Sequence, residues 1–129
     1  MVEFEISTDA HSTFVDITSQ VQRAVDEMGL ENGAILVWAP HTTAGITVNE
    51  GADPDVVRDM IVALDRAVPW DAGWRHAEGN AAAHVKSSLV GCGQLVPVAA
   101  GRLGLGVWQA VWFCEFDGPR RRSVRVHAV

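Results

Sequence analysis

The 129-residue chain reads as an α+β fold, and three features predict it. Strand-like segments outnumber helical ones. Strands follow one another directly at both ends of the chain. About three helices with recognisable starts and stops fall between them, which suits helices packed on a mainly antiparallel or mixed sheet. The length fits a single domain over residues 1–129.

Residues 3–8 and 13–17 alternate in polarity as two strands joined by a turn at Asp9-Ala10-His11-Ser12. Ser19 and Gln22 have the spacing of a capping box, and Val21, Ala24, Val25 and Met28 form a helical stripe that stops at Gly29. Asn32-Gly33 is a turn before a wholly apolar strand at 34–39, and 46–48 reads as a short strand. Asp53 is an N-cap with Pro54 at the first helical position. Val57, Met60, Ile61, Leu64 and Val68 follow at helical spacing until Pro69. Asn80 and Gly91 bracket a helix over 81–90, with His84 and Ser87 on one side, Val85 and Leu89 on an apolar one, and Lys86 roughly opposite His84. Segments 94–98, 107–116 and 123–129 complete the strands.

Composition narrows the function. Apolar residues make up 48% and charged residues 20%, values that support a real core. A net charge of −6 argues against broad nucleic-acid binding. No apolar run is long enough to span a membrane, and the start lacks a basic region followed by an apolar one, so the expected location is the cytoplasm. Cys92 and Cys114 are expected to be free and buried. A phosphate loop, dinucleotide fingerprint, nucleophile elbow and Cys-x-x-Cys pair are all missing.

The groups that can carry chemistry are few. His41 continues the face of Ile35, Val37 and Ala39, as a hydrogen-bonded core histidine or as a ligand or base beside Thr42 and Thr43. Three imidazoles, His41, His76 and His84, suit a catalytic metal with an open position if folding brings them together. Asn49 and Glu50 precede the helix start, and Glu50 is the better proton-transfer candidate because Asp53 caps. On the strand at 107–116, Trp108, Ala110, Trp112, Cys114 and Phe116 are expected to face the core. Gln109, Glu115 and Asp117 share the other face, the two carboxylates about 7 Å apart, as a cation site or a half-solvated surface. Arg120, Arg121, Arg122 and Arg125 form a basic cluster: Arg120 can clamp a phosphate or carboxylate, while Arg121 and Arg125 suit a charged sheet edge.

Three motifs taken together add a resemblance. They are Pro40-His-Thr-Thr-Ala-Gly-Ile-Thr-Val-Asn-Glu50 with Asp53-Pro54; His76-Ala-Glu-Gly-Asn80 with His84; and Leu105-Gly-Val-Trp-Gln109 with Glu115-Phe-Asp-Gly-Pro-Arg120. In order over nearly the whole chain, they closely resemble the YjbQ-like family, also called the secondary thiamine-phosphate synthase family. The resemblance implies an α+β homotrimer with a site near subunit interfaces. It also implies thiamine-phosphate synthase-like transfer, joining a hydroxymethylpyrimidine diphosphate to a thiazole phosphate.

By the same resemblance His41, His76 and His84 would hold a divalent metal, zinc-like or magnesium. The resemblance also draws in Asn49, Glu50, Asn80, Glu115 and Asp117 for catalysis and Gln109 and Arg120 for binding a small phosphorylated or anionic metabolite, to which the residue reading itself adds Thr42, Thr43, Ser87 and Lys86. Three imidazoles suit zinc better than the magnesium typical of diphosphate departure, so a zinc-type hydrolase or lyase is a rival. A non-catalytic trimeric module binding a small anionic metabolite is another. The chain departs from the usual pattern at Ala82, where many members carry aspartate, and at Val107, where threonine is common.

Overall fold

The computed structural model describes residues 1–129 and is α+β. Strands β1 (Val2–Ser7) and β2 (Thr13–Asp16) lead into helix α1 (Thr18–Met28), followed by β3 (Gly33–Trp38) and β4 (Ala44–Glu50). Helices α2 (Pro54–Ala67) and α3 (Ala81–Val90) come next, then β5 (Gly93–Ala99), β6 (Arg102–Leu103), β7 (Gln109–Glu115) and β8 (Arg121–Ala128). The strands form two sheets, ordered β1-β8-β3-β5-β6 and β2-β7-β4, and every pairing is antiparallel.

Alternation explains the main core. Ile6, Ile35, Val37, Val96, Val98, Val124 and Val126 point from the larger sheet at Ala44, Ile46, Val111 and Phe113 of the smaller. Val21, Ala24 and Val25 of α1 close the same core. A second, smaller core lies on the other face of the small sheet. There Phe14, Cys114, Phe116 and Ala83 meet Val57, Met60, Ile61 and Leu64 of α2.

Strand β7 therefore lies between two hydrophobic layers, and both its faces are buried. The face of Glu115, read as a cation site or a half-solvated surface, is interior over most of its length, with Val111, Phe113 and Glu115 all fully buried. A three-stranded sheet roofed by helices leaves its central strand no wet side. Helix α1 differs too. Ser19 does not cap it; the Asp16 carboxylate accepts from the Thr18 N–H (3.0 Å) and hydroxyl (2.6 Å). Gln22 instead ties α1 to β6, accepting from the Leu103 N–H.

Helix α3 packs on the side opposite to the one its apolar residues predict. Ala82, Ala83, Lys86 and Ser87 are buried, whereas Val85 and Leu89 are exposed. The reason is close approach: a Cβ at Gly45 would lie 2.7 Å from the Gly91 carbonyl oxygen. Only small side chains fit between α3 and β4, and the Ser87 hydroxyl donates to the Ala44 carbonyl at 2.6 Å. Gly45→Ala is accordingly expected to lower unfolding free energy by about 1–3 kcal/mol, read from a urea melt, because backbone rather than a flexible side chain must move. No helix is long and apolar enough to cross a membrane.

Candidate functional site

Three connections converge at one end of the two-sheet body. Pro40–Thr43 leave β3, Asn80 and His84 begin α3, and Asp117–Arg122 turn from β7 into β8. Between them is a cleft of about 350 Å³ whose wall residues, apart from Pro40, are polar or charged. His41, Thr42, Asn80, His84 and Arg120 line it, with Arg122 reaching it from below. On the far side of His41 and His84, a second cavity of about 560 Å³ holds Trp38, Ser87 and Cys92.

A buried ion pair builds the floor. Glu115 (0% exposed) accepts from Arg122 Nε at 2.8 Å and pairs with its Nη2, and Arg122 is itself 3% exposed. Arg122 Nη2 also donates to the Thr43 hydroxyl at 2.9 Å. The Thr8 hydroxyl donates to Glu115 Oε1 at 2.7 Å and accepts from the Arg120 N–H at 3.0 Å, fixing the turn above. Charge-assisted bonds in a dry site are what make such a pair tolerable. Burial pushes the Glu115 carboxyl up, but hydrogen bonds from Arg122, Thr8 and the Asp117 N–H outweigh it and hold the group below its ordinary 4.5. Glu115 is thus a framework group without access to a substrate.

His41 is held by the backbone. The Ser123 N–H donates to its Nε2 at 3.0 Å, and its ring meets Phe113 edge-on with centroids 6.3 Å apart. Desolvation, then the positive charge of Arg122, lowers its pKa from the ordinary 6.5. His41 is thus hydrogen-bonded in place, as the first reading of it expects, and it borders the cleft. Across the cleft, the rings of His84 and His76 meet at right angles, centroids 5.2 Å apart. His76 also lies 3.9 Å from Glu78, and it borders a third cavity of about 240 Å³ with Trp70 and Trp74.

These two depressed pKa values set a pH prediction. In each case the folded state binds fewer protons than the unfolded chain, so stability rises with pH. The His41 contribution is complete above 6.5 and is lost as pH falls through its lower folded value. The Glu115 contribution is complete above 4.5 and is lost further down. Urea midpoints should fall in two steps on acidification, and His41→Asn should remove the upper step only.

The cleft unites His41, Thr42, Thr43, Asn80, His84, Asp117 and Arg120, with His76 stacked behind and Ser87 in the adjoining cavity. Four expected residues fall elsewhere. Lys86 is 2% exposed and points away, pairing with Asp65 of α2 and lying 6.0 Å from the Phe116 ring centre. Asn49, Glu50 and Gln109 sit at the opposite end of β4 and β7, where Glu50 pairs with Gln109, six residues and about 20 Å along the strand from the Ala44–Glu115 pair. There their side chains bond to local backbone: Asn49 accepts from the Glu50 N–H, Glu50 from Ala52 and Gln109 from Gly106.

Arg122 is the member that the basic-cluster reading passes over. Its signal is alternation, because Arg122, Val124 and Val126 share the inward face of β8. Cys92 and Cys114 are both free, and only Cys114 is fully buried; burial pushes its thiol up. Another cavity, about 650 Å³, lies beside α1 near Arg23 and Arg102 and is lined by no histidine.

The donor set does not suit a metal ion held by all three histidines. His76 and His84 adjoin, but His41 Nε2 is occupied by Ser123, and no three His, Cys, Asp or Glu side chains stand close enough to hold an ion. His41 and His84 line the cleft while His76 borders the neighbouring cavity, so the three imidazoles do not form one ligand set.

These features define a small antiparallel two-sheet α+β protein with a histidine- and arginine-lined polar cleft at one end. A family model described as "UPF0047 protein YjbQ-like" matches residues 2–129, and the chain belongs to that family. It is 52% identical over 120 residues to UPF0047 protein YugU of Bacillus subtilis, spanning 92% of this chain and 91% of that one. It is 43% identical to UPF0047 protein MJ1081 of Methanocaldococcus jannaschii over 129 residues, spanning 100% and 94%. Among solved structures, an uncharacterised conserved protein of this family from Clostridium acetobutylicum superposes with a TM-score of 0.97 at 48% identity, covering 100% of both chains. A conserved hypothetical protein from Thermus thermophilus gives 0.93 at 42%, again over 100% of both.

Proposed function

We propose that the protein is an enzyme that takes a small phosphorylated substrate into the cleft between His41, Asn80, His84 and Arg120. The observation that carries this reading is a mainly polar cavity whose floor is a buried arginine and whose rim holds the imidazoles of His41 and His84. Arg120 and Arg122, each paired with a carboxylate, supply guanidinium donors, Thr42 supplies a hydroxyl, and His84, with His76 behind it, is placed to move a proton. The family resemblance gives the reaction to try first, joining a hydroxymethylpyrimidine diphosphate to a thiazole phosphate. In that transfer a ring nitrogen forms the new carbon–nitrogen bond while the carbon–oxygen bond to diphosphate breaks. The electron pair leaves on pyrophosphate, where the arginines offset its charge and His84 donates to a departing oxygen.

The experiment is paired. Pyrophosphate release is followed with both phosphorylated substrates, and inorganic phosphate binding is measured by calorimetry. Arg120→Ala is expected to weaken phosphate binding about 10-fold or more, the loss of a charge-assisted hydrogen bond. Unchanged affinity would remove Arg120 from the site. Phosphate binding with no turnover would leave a non-catalytic binding module.

Metal dependence is a separate proposal that rests on the adjoining rings of His76 and His84 as two ligands and needs its own readout. Elemental analysis should count divalent metal per chain, with His76→Ala and His84→Ala lowering it together. Equal content in both variants and the parent would end the ligand assignment. Trimeric assembly is supported by apolar side chains left exposed in one chain, namely Trp38, Leu89, Leu95, Val107 and Trp108. Sedimentation equilibrium tests it.

A further inference from the structure

One polar atom in the chain lacks what its chemistry requires. Asn80 Oδ1 is completely buried and has no hydrogen-bond partner, and no other buried side-chain nitrogen or oxygen is in that position. Its orientation is fixed. Asn80 Nδ2 donates to Asp117 Oδ2 at 2.8 Å, so turning the amide over would set two oxygens against each other. Oδ1 is therefore an acceptor that needs an N–H or O–H donor.

The surrounding protein does not provide one. Arg120, which lines the cleft, donates to Asp117 instead, from Nε to the carbonyl at 2.9 Å and from Nη2 to Oδ2 at 3.1 Å, which leaves its Nη1 for a ligand. Arg122, on the same cleft, uses Nε and Nη2 on Glu115 and Thr43, which leaves Nη1 without a protein partner. Arg122 and Asn80 both line the cleft, which thus brings together a guanidinium nitrogen and an amide oxygen that no protein group satisfies. A fully ionised phosphate satisfies the first and cannot satisfy the second, because it has no hydrogen to give.

We infer that the cleft selects a phosphate ester that also carries a hydroxyl or amino group, with the phosphate directed to Arg122 and the hydroxyl or amine donating to Asn80 Oδ1. This rests on the reading of the cleft as a phosphate site and narrows its substrate class. A site built to bond a ligand hydrogen discriminates strongly against the analogue that lacks it, since the buried acceptor is then left unpaired.

The test compares close analogues on the full chain by calorimetry at pH 8. Glycerol 3-phosphate and phosphoethanolamine carry the donor; propyl phosphate and ethyl phosphate do not. The donor-bearing member of at least one pair should bind about tenfold or more tightly to the parent protein. Asn80→Leu should bind both members of that pair alike. Equal affinity within both pairs in the parent protein would overturn the inference while leaving the phosphate site standing, and so would a preference that persists in Asn80→Leu. Failure of all four esters to bind would overturn the phosphate reading and this inference with it. The parent comparison needs no variant, so a poorly folded Asn80→Leu does not blunt the test.

Discussion

Glu115→Ala is expected to lower the unfolding free energy by about 3–5 kcal/mol, because it strands the Arg122 guanidinium in an interior where it is only 3% exposed. Against the roughly 5–15 kcal/mol that holds a domain of this kind together, that is a severe loss. Urea denaturation at pH 7 measures it. The paired change Glu115→Leu with Arg122→Met should cost much less than the single one, because it removes both charges together. A loss near zero for Glu115→Ala would mean that water reaches the guanidinium and that the floor of the cleft is wet. The same experiment bears on function, since the ion pair carries Arg122 to the cleft and Thr8 links it to the turn that positions Arg120.

His84→Ala is expected to reduce turnover about 10²–10⁴-fold, the usual worth of a positioned proton-transfer group. Phosphate affinity should fall far less, because the arginines are untouched. His84 is half-buried on α3, and the face that seats this helix is Ala82, Ala83 and Ser87, so the change should leave the fold intact. Turnover equal to the parent's would remove His84 from the chemistry. His76 touches only the back of the His84 ring from an exposed loop, so His76→Ala should have the smaller effect.

Much of this site was legible one segment at a time. Asp53 and Pro54 announce α2, and the Asp53 carboxylate does accept from the Asp55 N–H at 2.9 Å. Helical phase separates His84 and Ser87 from Lys86, and the structure sends them to different places. Period-two reading of β3 leads His41 along the core face to the strand end, where it borders the cleft.

Other readings failed where a local pattern has two physical uses. Val85 and Leu89 look like a core stripe, but the contact at Gly45 and Gly91 admits only small side chains, so α3 turns its alanines inward. Gln109, Glu115 and Asp117 share one face of a strand, yet only Glu115 and Asp117 reach the cleft end, because a strand carries its two ends far apart. Asn49 and Glu50 follow His41 closely in sequence and are moved away by the same extended geometry.

By itself the sequence determined the order of elements, the faces of most strands and helices, and the family, because periodicity, caps and contiguous motifs are local properties. Only the tertiary structure decided which charges are buried, that Arg122 rather than Lys86 faces the cleft, and that Asn80 presents an unpaired oxygen. Those outcomes depend on which side chains from distant segments exclude water from one another, and that is settled when the two sheets and α3 close together.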